Sequence, residues 1–174
     1  GYEAGVAVTT GTVNTLIGGL AGDALTDADY NVAVGVGALG ADTLGSRSVA
    51  IGYNALEVQN FTSATDSYNV AVGHKAGSSV TTGTGNTFLG GASGESITTG
   101  SNNVVIGPYS GNSGGLDIRT SSNNIVLSDG GGAVRVHVDG NGKTFVGPEN
   151  TNDATFHVHS LSNYWTAILY NLSN

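Results

Sequence analysis

The sequence predicts an all-β protein: a parallel β-solenoid, or β-roll, of 17- and 21-residue coils, followed by a small β-hairpin module. Three observations carry this. The first is a repeat: Tyr30-Asn31-Val32-Ala33-Val34-Gly35 returns letter for letter at Tyr68 to Gly73. Its polar leading residue recurs at Asn14, Asn31, Ser48, Asn69, Asn86, Asn103 and Asn124, at spacings of 17, 17, 21, 17, 17 and 21 residues, which makes a superperiod of 55. The second is composition, with 29 glycines, 2 prolines and 10% charged residues in 174, unlike an ordinary globular domain. The third is that no stretch of a dozen residues holds a helical apolar period, whereas apolar bursts of strand length recur throughout.

Each unit opens with a polar residue and three apolar or small ones, such as Val49-Ala50-Ile51, and closes that burst at Gly18, Gly35, Gly52, Gly73, Gly90 or Gly107. That pattern predicts a short strand stopped at a corner, because glycine reaches positive φ without a steric penalty. A small residue three places on (Ala21, Ala38, Ala55, Ala76, Ser93, Ser110) lets the backbone turn back closely. A second short strand is expected at Val80-Thr81-Thr82-Gly83 and at Ile97-Thr98-Thr99-Gly100. Two strands and two corners close one coil, and such coils stack at about 4.8 Å. The extra residues of the long units are expected in the same part of each, after the glycine turn. The recurring asparagine is expected to form an axial ladder of side-chain amides, with Ser48 a partial substitute.

Alternation along the strand sends Val32 and Val34 to one face and Ala33 to the other. Both faces are apolar or small. The flanking pair is assigned to the coil interior, and the middle row Leu16, Ala33, Ala50, Ala71, Phe88, Val105 and Val126 to a second face that an isolated solenoid would give to water. Copies of the same chain are expected to cover it, in a side-by-side or intertwined assembly.

Composition narrows the function. A net charge of −8 with only 5 basic residues leaves no Lys/Arg patch for a phosphate backbone, so nucleic acid is not an expected partner. No apolar run approaches the roughly 18 residues of a membrane span. With no cysteine there is neither a disulfide framework nor a thiolate metal site.

The burst Ser48-Val49-Ala50-Ile51-Gly52-Tyr53-Asn54-Ala55 resembles the head repeats of trimeric autotransporter adhesins. Asn14-Thr15-Leu16-Ile17-Gly18 and Asn86-Thr87-Phe88-Leu89-Gly90-Gly91-Ala92-Ser93-Gly94 look like the shaft repeats of bacteriophage tail fibres. The resemblance covers about residues 1–128, and the adhesin unit is usually shorter than this one. It implies a left-handed parallel β-roll, a homotrimer, and a role in attachment. The expected function is a structural segment of a trimeric tail fibre in the virion, holding a receptor-binding tip beside other tail proteins and a host glycan or protein receptor. A bacterial surface adhesin is the alternative. Neither reading is enzymatic.

The pattern changes at Ser128, where the corner glycine is lost, and residues 129–174 are read as a separate hairpin module. There Val134, Val136 and Val138 alternate with Arg135 and His137, Asp139 to Gly142 supplies a turn, and Thr144 to Val146 returns. Further strand and apolar segments follow at Phe156, Val158 and Trp165 to Leu172.

Several chemical motifs dissolve on inspection, and no cofactor is expected. Gly35-Val36-Gly37-Ala38-Leu39-Gly40 fits G-x-G-x-x-G but opens no helix. Asp139-Gly140-Asn141-Gly142-Lys143 resembles a calcium loop, yet Lys143 stands where an oxygen ligand is needed. His157-Val158-His159 puts two imidazoles on one strand face, which three copies could offer to a transition metal; two solvated histidines is the plainer reading. Asp27 and Asp29 share a face like an acid/base pair but lack aromatic platforms for a glycan. The connectors Glu57–Ser67 and Asn112–Asn123 are the most individual parts of the repeat region, and Phe61, Asp117 and Arg119 are expected to make outward contacts there.

Overall fold

The computed structural model describes residues 1–147. Among them there is no helix. In chain order the strands are β1 (Thr15–Ile17), β2 (Val32–Val34), β3 (Gly45–Ser46), β4 (Val49–Ile51), β5 (Thr65–Asp66), β6 (Val70–Val72), β7 (Thr87–Leu89), β8 (Val104–Ile106), β9 (Asn112–Ser113), β10 (Leu116–Asp117), β11 (Ile125–Ser128), β12 (Val134–Val138) and β13 (Thr144–Val146). One 9-stranded sheet runs β1-β2-β4-β6-β7-β8-β11-β12-β13. Its first seven strands are parallel and in strict register, each residue over its counterpart one coil away. The chain is a parallel β-solenoid.

The corners are glycine for two reasons. Gly18, Gly35, Gly52 and Gly73 have φ of 131°, 134°, 135° and 143°, closed to most L side chains. A Cβ on any of them would also run into the carbonyl of the corner glycine one coil on. The second strand expected at Val80–Gly83 and Ile97–Gly100 is reduced to single rungs: Thr81 N–H donates to Thr98 O at 2.9 Å and Thr98 N–H to Arg119 O at 2.8 Å.

The faces are the reverse of the sequence expectation. Ala33, Ala50, Ala71, Phe88, Val105 and Val126 are fully buried inside their own coils, and Leu16 is half-buried at the first. This middle row therefore cannot be the surface between chains. It packs with the row of Ala21, Ala38, Ala55 and Ala76 and with Leu25, Val80, Ile97 and Ile118, all buried. The flanking pair of each strand points outward instead. Both faces are apolar, so alternation alone could not say which one the coil closes around.

The narrow interior is filled by exchange of volume. Where the middle residue is large, the facing corner is glycine: a Cβ on Gly5 or Gly22 would lie 2.6 or 2.8 Å from Leu16, and one on Gly77 2.6 Å from Phe88. At Ala33 and Ala50 the equivalent corner carries buried Leu39 and Leu56 at φ of 53° and 51°. Filling the interior outweighs the roughly 1–2 kcal/mol of a left-handed leucine.

The asparagine ladder exists in a different form. Each side-chain oxygen accepts the backbone N–H of the next ladder residue: Asn14 Oδ1 from Asn31 at 2.9 Å, Asn31 from Ser48 at 2.8 Å, Asn69 from Asn86 at 2.8 Å, Asn86 from Asn103 at 3.0 Å and Asn103 from Asn124 at 2.9 Å. Each Nδ2 donates to a carbonyl across the coil, as Asn31 does to Gly45 O at 2.9 Å and Asn86 to Gly100 O at 2.9 Å. Only Asn124 Nδ2 to Asn103 Oδ1, at 2.9 Å, is the amide-to-amide contact expected along the whole column. Binding backbone satisfies buried donors that stacked amides would leave open.

The extra residues enter at two different places. In one long coil they form the loop that leads from Asn60 into β5, which pairs in parallel with β3. In the other they form the hairpin β9–β10, turned by Gly114 and Gly115 at φ of 64° and 93° and anchored by Tyr109, whose hydroxyl donates to Leu116 O at 2.8 Å.

Beyond Ser128 the same sheet continues. β12 pairs antiparallel with β11 and β13 with β12, so the expected hairpin is present and is joined edge to edge to the solenoid. A register shift at Leu127/Ser128 sets His137 opposite Val126, buried, while Val136 and Val138 extend the outer rows. The turns before β12 and β13 share one device: Asp129 Oδ1 accepts from Gly131 and Ala133 N–H, and Asp139 Oδ1 from Asn141 and Lys143 N–H, all at 2.9–3.1 Å. The loop at Asp139 is thus a hydrogen-bonded turn.

Candidate interaction face

The outward positions make two continuous rows across nine strands. One is Thr15, Val32, Val49, Val70, Thr87, Val104, Ile125, Val138 and Thr144; the other is Ile17, Val34, Ile51, Val72, Leu89, Ile106, Leu127, Val136 and Val146. Ile17 is 58% exposed, Leu89 47% and Ile106 42%. A contiguous apolar strip of this kind exceeds the scattered exposed residues usual on a monomer.

Large side chains border the strip on both sides. On the leading edge, just before the ladder residue, stand Tyr30, Arg47 and Tyr68, at φ of 59°, 65° and 50°. The Arg47 guanidinium lies 4.7 Å from the Tyr30 ring centre and 5.9 Å from that of Tyr68, and its Nε is 2.9 Å from Asp66 Oδ1. On the trailing edge, just after the corner glycine, Tyr53 and His74 stack with centroids 5.3 Å apart. An apolar centre with a rim rich in tyrosine and arginine is the usual composition of a protein interface. These edge residues were legible as the large, variable positions on either side of each burst.

Of the residues expected in outward loops, Phe61 is turned inward and only 7% exposed. Its ring packs beside Gly45 and its N–H donates to Asp42 Oδ1 at 3.2 Å, because the long connector folds back over a polar spot in the core. Asp117 and Arg119 are exposed on the inserted hairpin and the segment after it, and pair with each other: Arg119 Nη2 is 2.7 Å from Asp117 Oδ2. The guanidinium holds the Asp117 carboxyl below its ordinary pKa. His157 and His159 lie outside the described residues.

Asp27 and Asp29 are drawn into contacts between coils. Thr10 Oγ1 donates to Asp27 Oδ1 at 2.5 Å, and Asp29 Oδ1 accepts Thr12 N–H at 2.6 Å and Thr12 Oγ1 at 2.9 Å. The Thr12 backbone bond is the main reason the Asp29 carboxyl sits below its ordinary pKa. No group of three or more His, Cys, Asp or Glu able to hold a metal occurs among the described residues, and they contain no helix long and apolar enough to cross a membrane. Compared with family models, curated proteins and solved structures, the chain matches none. What fold and face define is a class: a parallel β-solenoid repeat protein with one apolar sheet face turned outward.

Proposed function

We propose that this chain is a structural segment of a trimeric phage tail fibre, a stiff rod in the virion that positions a receptor-binding tip and takes part in host attachment. The observation that carries the reading is the outward apolar strip along all nine strands, which water covers poorly and copies of the same chain cover well. The two flanking rows take the role that was expected of the middle row. Rigidity follows from construction, since successive coils are tied together by strand rungs, by an asparagine ladder that Gln59 bridges at Ser48, and by a filled interior. The number three comes from the resemblance of the repeats to tail-fibre shafts and adhesin heads. Native mass measurement on the purified chain tests it: three copies are expected, and a stable single copy with the strip left in water overturns the proposal.

A further inference from the structure

The two edges of the apolar strip vary together. At the level of Arg47 the opposite edge carries Tyr53; at the level of Tyr68 it carries His74; at the level of Gly85 it carries Gly91. At these three levels large faces large and glycine faces glycine, whereas in the first coil Val13 faces Gly19. Within one chain these partners are six residues apart across an extended segment, up to about 20 Å, so they do not pack on each other. Along each edge they pack on their own neighbours, but across the strip of a single copy the matched sizes meet in no contact.

They acquire one when copies are related by rotation about an axis parallel to the coil stack. Such a rotation, two-fold or three-fold, brings the leading edge of one copy against the trailing edge of the next without changing height. An axis perpendicular to the stack would reverse the order of coils and set Arg47 against the wrong one. We infer that Tyr53 and His74 of one copy seat against Arg47 and Tyr68 of its neighbour at the same level, with Gly85 and Gly91 allowing close backbone approach below them. This rests on the self-association proposed above and specifies its polarity and axial register.

The chemistry fits. A guanidinium already flanked by two tyrosine rings and held by Asp66 presents a planar cation edge to a third aromatic ring, and arginine stacks well on aromatic faces. The strip with both edges spans about 38 Å by about 20 Å, so a pair of copies buries on the order of 1,500 Å², within the range of stable interfaces.

The chain has no cysteine, so introduced thiols report without background. In the full chain, Arg47→Cys combined with Tyr53→Cys is expected to give disulfide-linked species between chains under oxidising conditions, up to the closed ring. Tyr53→Cys combined with Asn102→Cys, three coils away, is expected to give none. Sedimentation of the same samples and their circular dichroism accompany the gel. An assembled, folded protein that fails to cross-link through the first pair, or links equally through the second, overturns the register while leaving self-association standing. A folded monomer overturns both.

Discussion

Gln59 Nε2 lies 2.6 Å from Asp42 Oδ2 at core positions that Leu25, Val80, Ile97 and Ile118 fill in other coils. The same Nε2 reaches Ser48 Oγ at 3.0 Å, Gln59 Oε1 accepts Asn69 Nδ2 at 2.8 Å, and Asp42 Oδ1 accepts Gly45 N–H at 3.0 Å. The pair thus bridges the ladder where Ser48 replaces asparagine and ties down Phe61 at the start of the inserted loop. Asp42→Asn would set one amide donor against another, and Gln59→Glu would set two carboxylates together. Each is expected to cost about 1–3 kcal/mol. The double variant restores a donor facing an acceptor, so a double-mutant cycle in urea should show much of the loss recovered. Strict additivity would refute the bridge.

The acid response of Asp42 should oppose that of the surface carboxylates. Burial, partly offset by the Gln59 bond, raises the Asp42 pKa. The folded state then holds the proton more tightly than the unfolded one, so the cost of the buried charge is absent below about pH 4 and grows as pH rises through the folded value. The Arg135 contact lowers the pKa of Asp129, whose contribution is present above the unfolded value and lost as pH falls through the folded one. Urea midpoints between about pH 3 and 7 should show the parent's advantage over Asp42→Asn narrowing with rising pH, and its advantage over Asp129→Asn widening.

Gly94→Ala should be strongly destabilising. The new Cβ would strike the Phe88 ring at a residue whose φ is 62°, and overpacking of this kind costs about 1–3 kcal/mol. Gly130→Ala, with nothing within 4 Å of the added carbon, should be nearly silent in thermal melts. Combining Gly94→Ala with Phe88→Leu should recover part of the loss.

Charge placed on the two faces should separate folding from assembly. Leu89→Asp, on the outer row, is expected to leave the circular dichroism spectrum of the coil and lower the native mass. Ala71→Asp, in the sealed interior, is expected to unfold the chain, since an unpaired buried carboxylate costs several kcal/mol. Two variants that unfold alike would argue against the assignment of faces.

Coil length, the corner glycines and the all-β class are written in the sequence, because each is a local demand repeated at fixed spacing: a backbone that only glycine can turn, a strand too short for a helix, a polar residue at every start. The leading Asn even carried the answer to the orientation problem. It lies two residues before the middle of each strand, so it shares the middle row's face, and a buried ladder there places Leu16 through Val126 inside. What only the tertiary structure decided was closure. Two apolar faces satisfy alternation equally well, and the narrow coil accepted the row whose sizes trade against Gly5, Gly22, Leu39, Leu56, Gly77 and Gly94. The inward turn of Phe61 and the Asp42–Gln59 bridge likewise depend on which residues the winding sets at one height, a relation between positions that no local pattern states.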